Sequence, residues 1–198
     1  MEEKKTFELL TQGMDRSSIP LRLVMTPHAG RCLVVTRNIA RGEELFKETR
    51  LVHGPPQSRT LCCVNCSRLI DLSSSLTTQD CRECGLPLCS ETCPETFGRV
   101  HEADCRIFRK IDFKQNHIRL APKWLTVFRV LQIIKNDPDT WERLQLLEDH
   151  LEERRNSDLM DINQFEVYDV LNEILPEENY DRETVMRICG ILDGNAFR

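Results

Sequence analysis

The chain has 198 residues, 40% hydrophobic and 30% charged, the proportions of an ordinary globular protein. Its formal net charge of −5 gives no electrostatic reason to nominate DNA, RNA or an acidic membrane as partner. No apolar run approaches the roughly 18 residues of a transmembrane helix, and Met1-Glu2-Glu3-Lys4-Lys5 leads into no apolar signal core. The expected location is therefore cytoplasmic, nuclear or both.

Residues 1–18 are polar, end in Asp15-Arg16-Ser17-Ser18, and read as a tail or a short loose helix. Residues 19–60 read as strand-rich. Leu21, Leu23 and Met25 alternate with Arg22 and Val24, as in a half-buried strand. Thr26-Pro27-His28-Ala29-Gly30 is a turn by composition, and Arg31–Thr36 is a second β-rich run. Glu44–Glu48 and Leu51–His53 are expected as third and fourth short strands, stopped by Gly54-Pro55-Pro56. The prediction is a small antiparallel sheet.

Residues 63–105 carry the chemistry. They read Cys63-x2-Cys66, Cys81-x2-Cys84, Cys89-x3-Cys93 and His101-x3-Cys105, eight potential metal ligands in 43 residues. Four close one tetrahedral zinc site, so eight suggest two sites. The chain has ten cysteines. A disulfide framework is disfavoured by the lack of a secretory signal, by the paired spacing and by the histidine that completes the last pair. Cys62 adjoins Cys63 and is its alternative as first ligand. On the residues alone, the pairs can be shared between two ions in sequential or interleaved order. Sites ligated by four protein groups have no position open for a catalytic water, which argues for structural metal and against a zinc hydrolase. Between Arg59 and Lys110 seven basic residues balance seven acidic ones, which argues against a nucleic-acid-binding finger.

Residues 111–198 read as helices. A run from Pro122 to Ile134 is apolar on most sides, which predicts a largely buried helix. Asn136-Asp137-Pro138-Asp139 ends it and caps the next, predicted from Trp141 to about Arg155. Asn156-Ser157-Asp158 breaks the chain before a third helix that carries Phe165, Val167, Tyr168, Val170, Leu171 and Ile174. Asp181 caps a fourth. Trp124, Trp141, Phe165 and Tyr168 are expected in the core, and His150 faces solvent or packs.

Two resemblances join these parts. Gly30-Arg31-Cys32-Leu33 with the later Gly42-Glu43 resembles the opening of SET domains, with Cys32 where that family commonly has a second glycine. The spacing from Cys63 to Cys105 resembles the MYND zinc finger, with a longer, serine-rich loop at Asp71–Thr78. Strands, MYND insertion, then helices ending in Asn195-Ala196-Phe197 is the order of the SET-and-MYND (SMYD) lysine methyltransferases. The segment around Leu144, His150 and Arg154-Arg155 looks like their arthropod branch. The resemblance implies an α+β fold: residues 19–60 as the first part of a SET domain, 63–105 as the MYND finger, and 111–198 as a helical region before the catalytic core. It implies interleaved zinc sites, Cys63, Cys66, Cys89 and Cys93 on one Zn2+ and Cys81, Cys84, His101 and Cys105 on the other. It further implies S-adenosylmethionine as methyl donor, near Gly30, Arg31, Cys32 and Asn195. The partners it implies are proteins, through proline-containing peptides or histone tails.

The family's catalytic core also uses an Asn-His-x-Cys segment and a later tyrosine. Asn116-His117-Ile118-Arg119 lacks the cysteine, and Tyr168 and Tyr180 do not match the tyrosine. No catalytic residue is assigned. The expectation is a chain that does not methylate by itself, whether a natural short form or part of a longer one. The competing reading is a MYND interaction adaptor in transcriptional regulation.

Overall fold

The structure is a computed structural model, and it describes residues 2–12, 19–70, 79–93 and 100–196. The chain forms two units, residues 1–51 and 52–198.

In the first unit, helix α1 (Glu2–Leu10) lies against strand β1 (Leu21–Thr26), which pairs antiparallel with β2 (Gly30–Val35). Three residues, Pro27-His28-Ala29, connect them. Thr26 Oγ1 accepts the Ala29 N–H at 3.1 Å, and Gly30 takes φ 61° at the end of the turn. Leu21, Leu23 and Met25 share one face with Val35, Leu33 and Arg31. Met25, Leu33 and Val35 are each more than half exposed, so this face is less buried than the alternation predicts.

The expected third and fourth strands, Glu44–Glu48 and Leu51–His53, are absent, and the hairpin is a two-stranded sheet among the described residues. A strand needs a neighbour to satisfy its N–H and C=O groups. Here Glu43 instead closes a local turn, accepting from the Ala40 N–H at 2.9 Å and from Arg37 at 2.5 Å.

The second unit starts with the ligand-bearing segment. It holds the small pair β3 (Gln79–Asp80) and β4 (Pro87–Leu88) and then helix α2 (Val100–Phe108). After α3 (Gln115–Arg119) comes α4 (Ala121–Asn136), the centre of the helical region, with α5 (Pro138–Leu144) beside it. Every residue of α4 from Ala121 to Leu131 is buried. Phe108, at the end of α2, packs on Trp124 and Phe128 of α4, with ring centroids at 5.4 and 4.6 Å. Trp124 Nε1 donates to the His117 carbonyl at 2.9 Å, which satisfies the indole where it is buried.

The predicted helix from Trp141 to Arg155 is two helices, α5 and α6 (Leu151–Arg154). His150 stands between them at φ 53°, a left-handed conformation that no helix continues through, and it is exposed. The bend is held from the last helix, α9 (Arg182–Asn195): Asn195 Nδ2 donates to the Glu148 carbonyl at 2.8 Å, and Arg187 Nε to Asp149 Oδ2 at 3.1 Å. The predicted caps are present. Asp137 accepts from Thr140 N at 3.1 Å, Ser157 from Met160 N at 3.4 Å and Asp181 from Thr184 N at 2.8 Å.

The third predicted helix is α7 (Asp158–Asn163), a π-helical turn (Gln164–Tyr168) and α8 (Asp169–Ile174) in sequence. Its buried residues are Asn163, Val167, Val170, Leu171 and Ile174. Phe165 falls between Asn163 and Val167, on the opposite face, and is 66% exposed, so it is not a core residue. Trp141 and Tyr168 are half-buried, and Trp124 is fully buried as expected. Two of the residue stretches singled out from the sequence lie outside the described residues: the serine-rich loop 71–78 and Phe197.

Candidate metal centre

Two tight turns of the same design present the Cys-x2-Cys pairs. In the first, Ser67 N donates to the Cys63 carbonyl and Cys63 N to the Arg68 carbonyl, both at 2.9 Å. In the second, Gly85 N donates to the Cys81 carbonyl at 2.7 Å and Cys81 N to the Leu86 carbonyl at 2.8 Å. Each turn needs a left-handed residue just after its second cysteine, Ser67 at φ 64° and Gly85 at φ 74°. The reversal points both thiols of a pair to one side.

The structure brings the eight ligands together in two sets, Cys63, Cys66, Cys89 and Cys93, and Cys81, Cys84, His101 and Cys105. Within each set all ligand atoms lie within 4.8 Å of one another. This is the interleaved grouping, not the sequential one. In the first set Cys63 and Cys93 sulfurs are 3.6 Å apart, as are those of Cys66 and Cys89. In the second, Cys81 and Cys105 sulfurs are 3.7 Å apart, and Cys84 Sγ is 3.4 Å from His101 Nε2. An ion with Zn–S bonds of about 2.3 Å in a tetrahedron holds its sulfurs about 3.8 Å apart, and a sulfur and a nitrogen about 3.6 Å apart. All ten cysteines are free thiols. The donor sets therefore fit two four-coordinate ions of the zinc type.

Burial is the largest influence on thiols of both sets. Burial pushes the Cys84 and Cys93 thiols up. The neighbouring thiols Cys81 and Cys105 add to the rise at Cys84. Cys63 differs. Burial raises its thiol too, but hydrogen bonds from the backbone of Cys66, Asn65 and Cys89 outweigh it, and the net direction is down. His101 is pushed down to about 4, by burial first and then by the positive charge of Arg129, so its imidazole is neutral and able to ligate at pH 7. Cys62 is fully buried but belongs to neither set, and burial holds its thiol up at about 12.

A buried polar network surrounds both sets. Asp104, one turn on from His101, accepts from Arg129 Nε at 3.0 Å and lies 4.0 Å from His101 Nδ1. Arg129 also donates to the carbonyls of His53 at 2.8 Å and Val64 at 2.7 Å. Asn65, fully buried, takes the His101 N–H on its Oδ1 at 3.0 Å. None of these three residues was picked out by sequence reasoning. Arg129 left a signal, as the charged residue inside the apolar run of α4. Asn65 and Asp104 left only their places between paired ligands.

The residues expected near the methyl donor belong to neither ligand set. Gly30, Arg31 and Cys32 open β2 in the first unit; Cys32 Sγ lies 3.8 Å from Thr26 Oγ1. Asn195 is the last residue of α9 in the second unit, and its Nδ2 donates to the carbonyls of Glu148 and Ile191 at 2.8 and 2.9 Å. His117 of the Asn-His pair is buried on α3, with Nε2 3.1 Å from Glu173.

No protein-family model matches this chain. SET domain-containing protein SmydA-8, isoform B, of Drosophila melanogaster is 36% identical over 114 residues, covering 56% of this chain and 25% of the relative. Its isoform A is 28% identical over 179 residues, covering 85% of this chain and 35% of the relative. Over these stretches the chain is similar to SMYD-type, SET domain-containing proteins. Histone-lysine N-methyltransferase SET5 of Scheffersomyces stipitis adds 30% identity over 90 residues, 41% of this chain and 19% of that protein. The chain spans a quarter to about a third of the length of the Drosophila relatives. Among its described residues no helix is long and apolar enough to cross a membrane.

Proposed function

We propose that this chain is a zinc-dependent protein-interaction region of a SET-and-MYND type protein, acting in the cytoplasm, the nucleus or both. Each ligand set holds one structural Zn2+. The observation that carries this reading is the grouping of eight ligands into two complete sets at tetrahedral spacing. With four protein ligands each, the ions have no open position for chemistry, and their work is to stabilise a segment too short to bury a large core. What the zinc fold then offers is a surface for protein partners, of which proline-containing peptides and histone tails are the candidates. A direct nucleic-acid role is disfavoured by the balance of seven basic and seven acidic residues around the ligands.

S-adenosylmethionine is the cofactor that likeness to methyltransferases suggests. Asn195 gives this limited support, because its Nδ2 is already engaged by two backbone carbonyls. Lysine methyl transfer needs donor and amine held in line, and these 198 residues do not contain an Asn-His-x-Cys segment to help hold them. We assign the chain no catalytic residue and no methyl transfer of its own.

Two assays test the reading. Binding to an array of proline-containing and histone-tail peptides is expected with zinc present and is abolished by a strong chelator; binding that ignores the chelator contradicts a zinc-dependent surface. Incubation with labelled S-adenosylmethionine and histones is expected to give no transfer above background, and turnover overturns the non-catalytic assignment.

A further inference from the structure

The side chain of Asn65 lies between the two ligand sets and touches both. Its Nδ2 is 3.6 Å from Cys93 Sγ and 3.4 Å from the Cys93 carbonyl, on the first set. Its Oδ1 accepts the backbone N–H of His101, on the second, at 3.0 Å. The residue is 0% exposed. Its own position is fixed by the first set, because it sits inside the Cys63-x2-Cys66 turn, and the His53 ring approaches its carbonyl at 3.1 Å.

We propose that Asn65 couples the two metal sites, so that an ion in one raises the affinity of the other. The inference rests on the two-zinc reading above. Its physical basis is one buried amide that contacts a ligand residue of each set, Cys93 through Nδ2 and His101 through Oδ1. An ion on Cys63, Cys66, Cys89 and Cys93 fixes the turn and the Cys93 sulfur together. Asn65 Nδ2 then has a thiolate to donate to, and its Oδ1 is held where the His101 N–H must arrive. A hydrogen bond lost from a buried amide is costly, so ordering of the second set, which makes the His101 contact, is favoured once the first is formed. Linkage requires the reverse effect to be equally large.

The network closes on itself through a second route. His101 and Asp104 lie on α2, Asp104 accepts from Arg129, and Arg129 donates to the Val64 carbonyl, next to Asn65. The interleaved chain path also links the two sets. The distinctive claim is that Asn65 carries a measurable share of the coupling, which chain connectivity alone does not predict.

The test uses the 198-residue chain stripped of metal under reducing conditions and titrated with Zn2+ alone. Native mass spectrometry counts chains with no, one and two ions. Equal independent sites give the one-ion form as about half of all chains at half-saturation, whereas a coupling in the usual range of about 5- to 150-fold holds it well below that. In the wild type the one-ion form is expected to stay minor. In Asn65→Leu, which keeps the branched shape, and Asn65→Ala, which does not, it is expected to rise severalfold. A rise in both variants reads the lost bridge rather than a packing fault. A wild type that loads two ions independently, or variants whose one-ion form matches a coupled wild type, overturns the inference and leaves the two-zinc reading standing. A wild type that never takes up a second ion overturns both.

Discussion

Arg129 donates to Asp104 through two nitrogens, Nε at 3.0 Å and Nη2 at 2.5 Å, and both bonds end on the same carboxylate oxygen, Oδ2. Each side chain is less than a tenth exposed. The pair joins helix α2, which carries His101 and Cys105, to helix α4 at the centre of the second unit. Removing the cation leaves a buried carboxylate and takes the Arg129 donors away from the carbonyls of His53 and Val64. Arg129→Met is therefore expected to destabilise by about 3–5 kcal/mol. Arg129→Lys is expected to recover only part, because an ammonium cannot reproduce the fork of donors. Urea unfolding of the zinc-loaded chain measures both, and a loss below about 1 kcal/mol in Arg129→Met contradicts the role given to this pair.

Gly190 lies in the middle of α9, where an alanine would ordinarily gain about 1 kcal/mol of helix propensity. Here a Cβ would stand 2.0 Å from the Asp149 carbonyl oxygen, a backbone atom held in the bend before α6. The contact decides the sign. Gly190→Ala is expected to lower the thermal midpoint, and a rise would show that the bend yields.

Cys62 and Cys63 are adjacent and both fully buried, yet only Cys63 belongs to a ligand set. Cys62→Ala is expected to keep the zinc content of the wild type, at a packing cost of about 1 kcal/mol or a little more. Cys63→Ala is expected to reduce zinc content. Metal analysis of the two variants separates them, and the opposite pattern would move the ligand to Cys62.

Gly85 is the left-handed residue that closes the second Cys-x2-Cys turn, and a Cβ there would meet nothing within 4 Å. Gly85→Ala therefore isolates backbone strain, expected at about 1–2 kcal/mol. Gly85→Asn, which tolerates this conformation better, is expected to cost less. Chelator competition for zinc reads the difference, and equal losses in the two variants would argue against a backbone origin.

The ligand positions were the most legible part of this chain. Tight turns bring nearby thiols together locally, so the pairing of Cys63 with Cys66 and of Cys81 with Cys84 is written in spacing. Which pairs share an ion depends on the tertiary path, and spacing left that open; the interleaving came from resemblance. Helix boundaries with a side-chain cap, at Asp137, Ser157 and Asp181, were readable for the same local reason. The misreadings all depend on distant partners. Glu44–Glu48 has strand composition but no neighbouring strand. The helix from Trp141 is interrupted because α9 holds the carbonyl of Glu148 and the side chain of Asp149. Phe165 is apolar but lies on the face of its helix away from Val167 and Leu171. Asn65 and Arg129 act through residues 36 and 25 positions away in sequence, a kind of contact that composition and periodicity do not encode.

The central claim is that the eight ligands hold two structural ions. Zinc content measured by elemental analysis, on the purified chain kept reduced and at neutral pH, tests it most directly. The account predicts two zinc ions per chain, with all eight ligands needed for that count. One ion per chain, or none, would contradict it.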